Sequence, residues 1–144
     1  MSVSKEATSF ILQALSELLS EDRSAEVTAT VDLVVKAPKI FVYGVGRSGV
    51  VARAFAMRLV QLGLKCFFIG ETITPIVESE DCVLIVSNTG ATMSAVQTAN
   101  IARRVGASVV SVTGSRTSKL AHASSVVVTV REDGGPEVSK YAPL

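Results

Sequence analysis

Two short stretches of this chain hold residue types able to grip a small anion. The first, "GVGRSG", sets Gly44, Gly46 and Gly49 in a G-x-G-x-x-G pattern around Arg47 and Ser48. Its glycines permit a tight turn and close backbone approach. Ser48 places a hydroxyl beside the first N–H groups of a following helix, and Arg47 adds a planar cation that suits phosphate. The second stretch, "SNTGAT", runs from Ser87 to Thr92. Ser87, Thr89 and Thr92 offer three hydroxyls, Asn88 an amide and Gly90 a flexible backbone, again where a strand should end and a helix begin. Capping a helix accounts for one such hydroxyl. Four polar side chains in six residues exceed that need and point to phosphate held at a helix N-terminus.

The glycines of the first stretch also match the dinucleotide fingerprint. Glu71, 22 positions beyond Gly49, stands near where a ribose-binding acid would lie. Against that reading, a dinucleotide site does not require the second hydroxyl-rich loop, and a chain this short offers no separate substrate domain. No Gly-Lys-Ser/Thr occurs at Walker spacing. Taken together, the loops favour one phosphate held from two sides.

The elements that must position these loops follow from hydrophobic periodicity. "TSFILQALSELL" and "SAEVTATVDLVVKA" have helical spacing, and Pro38 ends the second. Beyond it the pattern alternates. "KIFVYGV" reads as a buried strand, followed by the glycine loop and a helix from Ser48 to about Leu62. "KCFFIG" and "DCVLIVSN" are the next strands, then comes the helix "GATMSAVQTANIARRVG", closed by Gly106. "SVVSVTG", the short helix "TSKLAHA" and the strand "SVVVTV" complete the series. Strands alternating with helices predict right-handed crossovers and a parallel sheet, an α/β fold in three layers with five strands. Ligands of such sheets bind beyond the carboxyl ends of the strands, where both loops fall. The helix after the first loop carries more apolar residues than one sheet-facing stripe needs. Contact with another subunit and burial within its own domain both account for this.

With 144 residues, 48% hydrophobic and 5% aromatic, the chain is long enough for one domain with a Val, Ala, Leu and Ile core. No apolar run reaches the roughly 20 residues of a bilayer span. The N-terminus lacks the basic and apolar blocks of a signal peptide, so a cytoplasmic location is expected. Lys plus Arg number 14 against 13 Asp plus Glu, a balance that argues against nucleic-acid or membrane binding. Residues 1–37 are acidic, with three basic and six acidic groups, and the remainder is basic, with 11 against seven. Cys66 and Cys82 lie within apolar runs and read as small core residues. With one histidine in the chain, a structural zinc site is not expected.

The two loops resemble those of the SIS (sugar isomerase) domain, whose phosphosugar sites use Ser/Thr-rich loops after the first and third strands. "YGVGRSGVVARAFAMRLVQLGL", "GETITP", "VSNTGAT" and "SKYAPL" further resemble the 6-phospho-3-hexuloisomerases, from about Ile40 to Leu144. The resemblance implies a flavodoxin-like or Rossmann-like SIS domain over residues 38–144, with N-terminal helices over residues 1–37 packed on it. It implies interconversion of D-arabino-3-hexulose 6-phosphate and fructose 6-phosphate without metal or organic cofactor. It also implies homo-oligomers, commonly tetramers, with sites near subunit boundaries. Carried onto this chain, Gly46, Arg47 and Ser48 would contact the substrate. Ser87, Asn88, Thr89, Gly90, Ala91 and Thr92 would cradle its phosphate. Where the family more often has S-G-S-G-x-T, Asn88 and Thr89 replace Gly and Ser here. The family continues past "SKYAPL" into a G-[S/T]-x-F-E segment whose Glu is the expected proton acceptor. The residues given end at Leu144, before it, so either the sequence is a fragment or that machinery has been lost.

Moving a carbonyl between C2 and C3 passes through a cis-enediol, which requires a base, donors for the enediolate oxygen and an anchor for the phosphate. Glu71, at the carboxyl edge of the sheet, is the carboxylate placed to act as base; the alternative is a structural ion pair. His122 reads as a surface or packing residue. Glu78, Glu80 and Asp81 fall at the opposite edge and are expected to be solvated. Lys140 and Tyr141 are possible substrate neighbours. Two other functions fit parts of the pattern: a non-catalytic phosphosugar-binding module and a dinucleotide-binding domain.

Overall fold

In the computed structural model, residues 2–130 are described. The chain divides into two compact units, the larger comprising Ser24–Val130. Helix α1 (Val3–Ser20) belongs to the smaller. Ser2 caps it by accepting a hydrogen bond from the Lys5 amide at 3.5 Å, and the helix buries none of its own residues.

The larger unit runs α2 (Ser24–Lys36), β1 (Ile40–Gly44), α3 (Gly46–Gln61), β2 (Cys66–Phe68) and β3 (Cys82–Val86), then α4 (Met93–Val105), β4 (Ser108–Thr113), α5 (Lys119–His122) and β5 (Val126–Thr129). All five strands are parallel, in the order β2-β1-β3-β4-β5. The chain steps outward from β1 to β2, then returns to the other side of β1 to form β3. Strand order therefore reverses between β1 and β3, where Gly44 lies opposite Val86. The two loops leaving those residues emerge side by side at the carboxyl edge, the switch point at which open α/β sheets bind ligands.

Alternation along the strands sorts the core into two layers. Ile40, Val42, Cys82 and Leu84 face α2 and α3, meeting Val34, Ala52, Ala56 and Leu59. Phe41, Val83, Ile85 and Val109 face the other way, onto Ala95, Ala99 and Ala102 of α4 and Leu120 of α5. Alanines at helical spacing let both long helices lie close to the sheet, which explains a core so poor in aromatic residues. At the amino edge, Asp81 departs from expectation. It is 2% exposed, and its carboxylate accepts from the Lys39 amide at 3.2 Å and the Glu78 amide at 2.7 Å, with Lys39 Nζ at 3.4 Å. A carboxylate satisfied by two backbone donors and a cation tolerates burial. Glu78 lies at the surface, and its contact with Lys39 holds its carboxyl below the usual range.

Two helix starts differ from the sequence pattern. Helix α3 begins at Gly46, because a φ of +58° there turns the chain directly from strand into helix. Arg47 and Ser48 thus lie in its first turn. Helix α4 begins at Met93, since Gly90 has a φ of +60° and the residues ahead of it form a turn. Gly106, at a φ of +96°, closes α4 as its position predicts. Val50, Val51, Met57 and Val60 on α3, and Leu62 just after it, remain more than half exposed within this chain. Among the described residues no helix is long and apolar enough to cross a membrane.

Candidate phosphate-binding site at the strand switch point

The fingerprint glycines divide their work. A Cβ on Gly49 would lie 2.6 Å from the Gly44 carbonyl oxygen, and one on Gly44 would lie 2.9 Å from the Gly49 amide nitrogen. These two glycines let α3 start against the end of β1. Around Gly46 there is open space, with no atom within 4 Å of an added Cβ. Ser48 is half-buried and Arg47 is exposed. The residue capping α3 is Val45, which has no polar side chain, so the first-turn N–H groups carry no side-chain cap. The positive end of the helix dipole faces the carboxyl edge of the sheet.

Ser87–Thr92 forms a turn with an inner and an outer side. Ser87 and Gly90 are buried, whereas Asn88, Thr89 and Ala91 are exposed. Ser87 Oγ accepts from the Gly90 amide at 3.2 Å and donates to Thr92 Oγ1 at 3.4 Å. Thr89 Oγ1 accepts from the Ala91 amide at 3.2 Å. Thr92 occupies the N-cap position of α4 but makes no side-chain cap bond. Ser87 therefore shapes the turn, and the N-cap side chain of α4, like that of α3, makes no bond to the first amides of its helix.

A cleft of about 190 Å³ opens between the two loops. Ser48, Asn88, Thr113 and Gly114 supply its polar lining, and Val86, Val112 and Val130 its apolar walls. It joins the first turn of α3 to the loops after β3 and β4. Of these lining residues the sequence singles out Ser48 and Asn88, and it does not single out Thr113 and Gly114. The signal available for them was the Thr-Gly pair at the carboxyl end of the fourth strand, the edge that already marked the other loops.

Among the described residues no carboxylate or imidazole lines this cleft. Glu71 lines a separate cleft of about 270 Å³ beside β2 and α3, which shares no lining residue with the first. There it pairs with Arg53 at 2.6 Å, both side chains half exposed, while the Arg53 guanidinium lies 3.7 Å over the Phe68 ring. His122 is exposed, with Nδ1 2.8 Å from the Ser118 carbonyl oxygen. Lys140 and Tyr141 lie outside the described residues. Cys82 is buried and Cys66 half-buried; burial pushes both thiols up to about 11. They are protonated near neutrality, as packed residues rather than nucleophiles. Among the described residues there is no cluster of three or more His, Cys, Asp or Glu that could hold a metal ion.

Residues 33–142 match the model of the SIS domain. Over 87 residues the chain is 40% identical to a 3-hexulose-6-phosphate isomerase of Methanocaldococcus jannaschii, covering 60% of this chain and 48% of that protein. It therefore spans about half the length of that relative. A 3-hexulose-6-phosphate isomerase of Mycobacterium gastri is 33% identical over 135 residues, 85% of this chain and 68% of that one. A crystal structure of a Methanococcus jannaschii protein, for which the same function has been inferred, matches with a TM-score of 0.79 and 29% identity, over 92% of this chain and 74% of that one. On a family match spanning most of its length, and on a parallel sheet with hydroxyl-bearing loops at its switch point, the chain belongs to the SIS domain family.

Proposed function

We propose that this protein binds a sugar phosphate at the β1–β3 switch point and interconverts D-arabino-3-hexulose 6-phosphate and fructose 6-phosphate. The observation that carries the reading is the convergence of two helix starts without side-chain caps, with Ser48, Asn88 and the hydroxyls of Ser87–Thr92 around one cleft. Such amides and hydroxyls suit a phosphate dianion. The shared name of the two relatives at 33–40% identity supports this substrate pair.

In fructose 6-phosphate the carbonyl is at C2 and the C3 carbon bears the proton to be lost. A base takes that proton, the electron pair forms the C2–C3 double bond, and charge develops on the C2 oxygen. Transfer of the C3 hydroxyl proton to the C2 oxygen, and return of the abstracted proton from the base to C2, leave a hydroxyl at C2 and the carbonyl at C3. Two helix N-termini hold the phosphate, remote from the reacting carbons, so its binding energy orients the sugar. Glu71 is the sequence's candidate base; it takes part only if the 71–74 turn brings it from Arg53 to the sugar. The expected oligomer fits the apolar face left exposed on α3, and a cytoplasmic setting fits the substrate.

Turnover of fructose 6-phosphate to the 3-hexulose, followed by carbon-13 NMR, tests the reading. Activity that falls at least a thousandfold in Glu71→Gln, with binding kept, makes Glu71 the base. Activity kept in that variant assigns the proton transfer to another residue. The absence of a carboxylate or imidazole from the described cleft lining favours a second reading, a phosphosugar-binding module without catalysis. Binding with no turnover supports it.

A further inference from the structure

We infer that the connection after β4, from Thr113 to Ser118, is the positioning scaffold of the phosphate loop, with Gly114 as its central residue. The inference rests on the reading of Ser87–Thr92 as that loop. The Asn88 carbonyl oxygen accepts two hydrogen bonds from this connection, one from the Gly114 amide at 2.8 Å and one from Thr113 Oγ1 at 3.2 Å. Thr113 is 1% exposed. A Cβ on Gly114 would lie 2.7 Å from Asn88 Oδ1 and 2.9 Å from the Asn88 carbonyl oxygen. The backbone of Gly114 lies outside the left-handed region, so proximity to Asn88 rather than its own φ demands a glycine.

Gly90, two residues further along the turn, is fastened to the first turn of α5, into which this connection leads. Its carbonyl oxygen accepts from the Leu120 amide at 3.0 Å. A Cβ on Gly90 would collide with the Ser118 side chain and come within 2.8 Å of Thr113 Oγ1. Ser118 in turn caps α5, accepting from the Ala121 amide at 3.2 Å. The Asn88 and Gly90 carbonyls are thus committed to the Thr113–Leu120 segment, while Thr89 and Ala91 are exposed on the outer side of the turn. A tetrahedral anion gains most from donors fixed before it arrives, and hydrogen bonds weaken steeply when their angles are disturbed. Thr113 and Gly114 serve this site by holding the loop and by lining its cleft.

Gly114→Ala and Thr113→Val test the assignment, with Thr113→Ser as the conservative control. Affinity for inorganic phosphate and fructose 6-phosphate is measured by calorimetry, and amide exchange at Gly90 and Ala91 in the ligand-free chain. Gly114→Ala is expected to weaken both ligands about tenfold or more, and Thr113→Val several-fold, with faster exchange at both amides. Thr113→Ser restores the affinity and the protection lost in Thr113→Val. If Gly114→Ala fails to fold, the Thr113 pair carries the test. Unchanged affinity and exchange in Gly114→Ala and Thr113→Val overturn the positioning role. A parent chain that binds neither ligand overturns the sugar-phosphate reading, and the exchange data still decide whether the scaffold holds the loop.

Discussion

The Ser87 hydroxyl bonds to both Gly90 and Thr92, so the side chain that looks most available for a ligand in sequence is spent on the shape of the turn. The sequence singles out the hydroxyls at this strand end; which of them face outward it does not show, because that depends on the φ of Gly90. Asp81 shows the same limit at the other edge. Its position before β3 was legible, but its burial depends on the amides of Lys39 and Glu78, and Lys39 is 42 residues away in the chain. The cysteines give a prediction at this scale. Folding raises both thiols from 9.0 to about 11. Between those values the unfolded chain loses protons that the folded chain keeps, so stability falls as pH rises from 9 to 11. Urea midpoints across that range should decline in the parent and decline less in Cys82→Ala. A midpoint independent of pH in the parent would show that neither thiol is shifted by folding.

At the scale of elements, the strands and helices were legible from alternation and helical spacing, and misplaced mainly at their starts. Position 49 illustrates why. A helix-period pattern accepts alanine there and would gain roughly 1 kcal/mol in propensity over glycine. The fold gives the opposite sign, since a methyl group at Gly49 would meet the Gly44 carbonyl oxygen at 2.6 Å. Gly49→Ala should destabilise the protein by roughly 1–3 kcal/mol, the ordinary cost of overpacking, read as a lower urea midpoint. A neutral or stabilising Gly49→Ala would mean that α3 and β1 separate without cost. Thr113 and Gly114 escaped the sequence reading for a related reason. Their contact with Asn88 joins two loops that are neighbours only through the pairing of β3 with β4.

For the whole molecule, strand order decides where the chemistry sits. A parallel sheet was implied by alternating strands and helices, and the reversal between β1 and β3 brings "GVGRSG" and "SNTGAT" together at one edge. It also separates Glu71, which follows β2 on the outer side of β1, from the cleft between those loops. The dinucleotide reading weakens at this scale. Gly44 and Gly49 serve strand–helix packing, the acid proposed for a ribose pairs with Arg53, and the cleft has a volume of about 190 Å³. The most direct measurement is calorimetric titration of fructose 6-phosphate, with NADH as the competing probe, into the parent chain, Ser48→Ala and Ser87→Ala. A hydrogen bond from Ser48 to a charged phosphate contributes about 1.5–3 kcal/mol, so Ser48→Ala should weaken sugar-phosphate binding about 10- to 100-fold, and Ser87→Ala should weaken it by loosening the turn that its hydroxyl shapes. Undiminished fructose 6-phosphate binding in both variants, or NADH binding that survives Ser87→Ala, would contradict a phosphate held between the two loops.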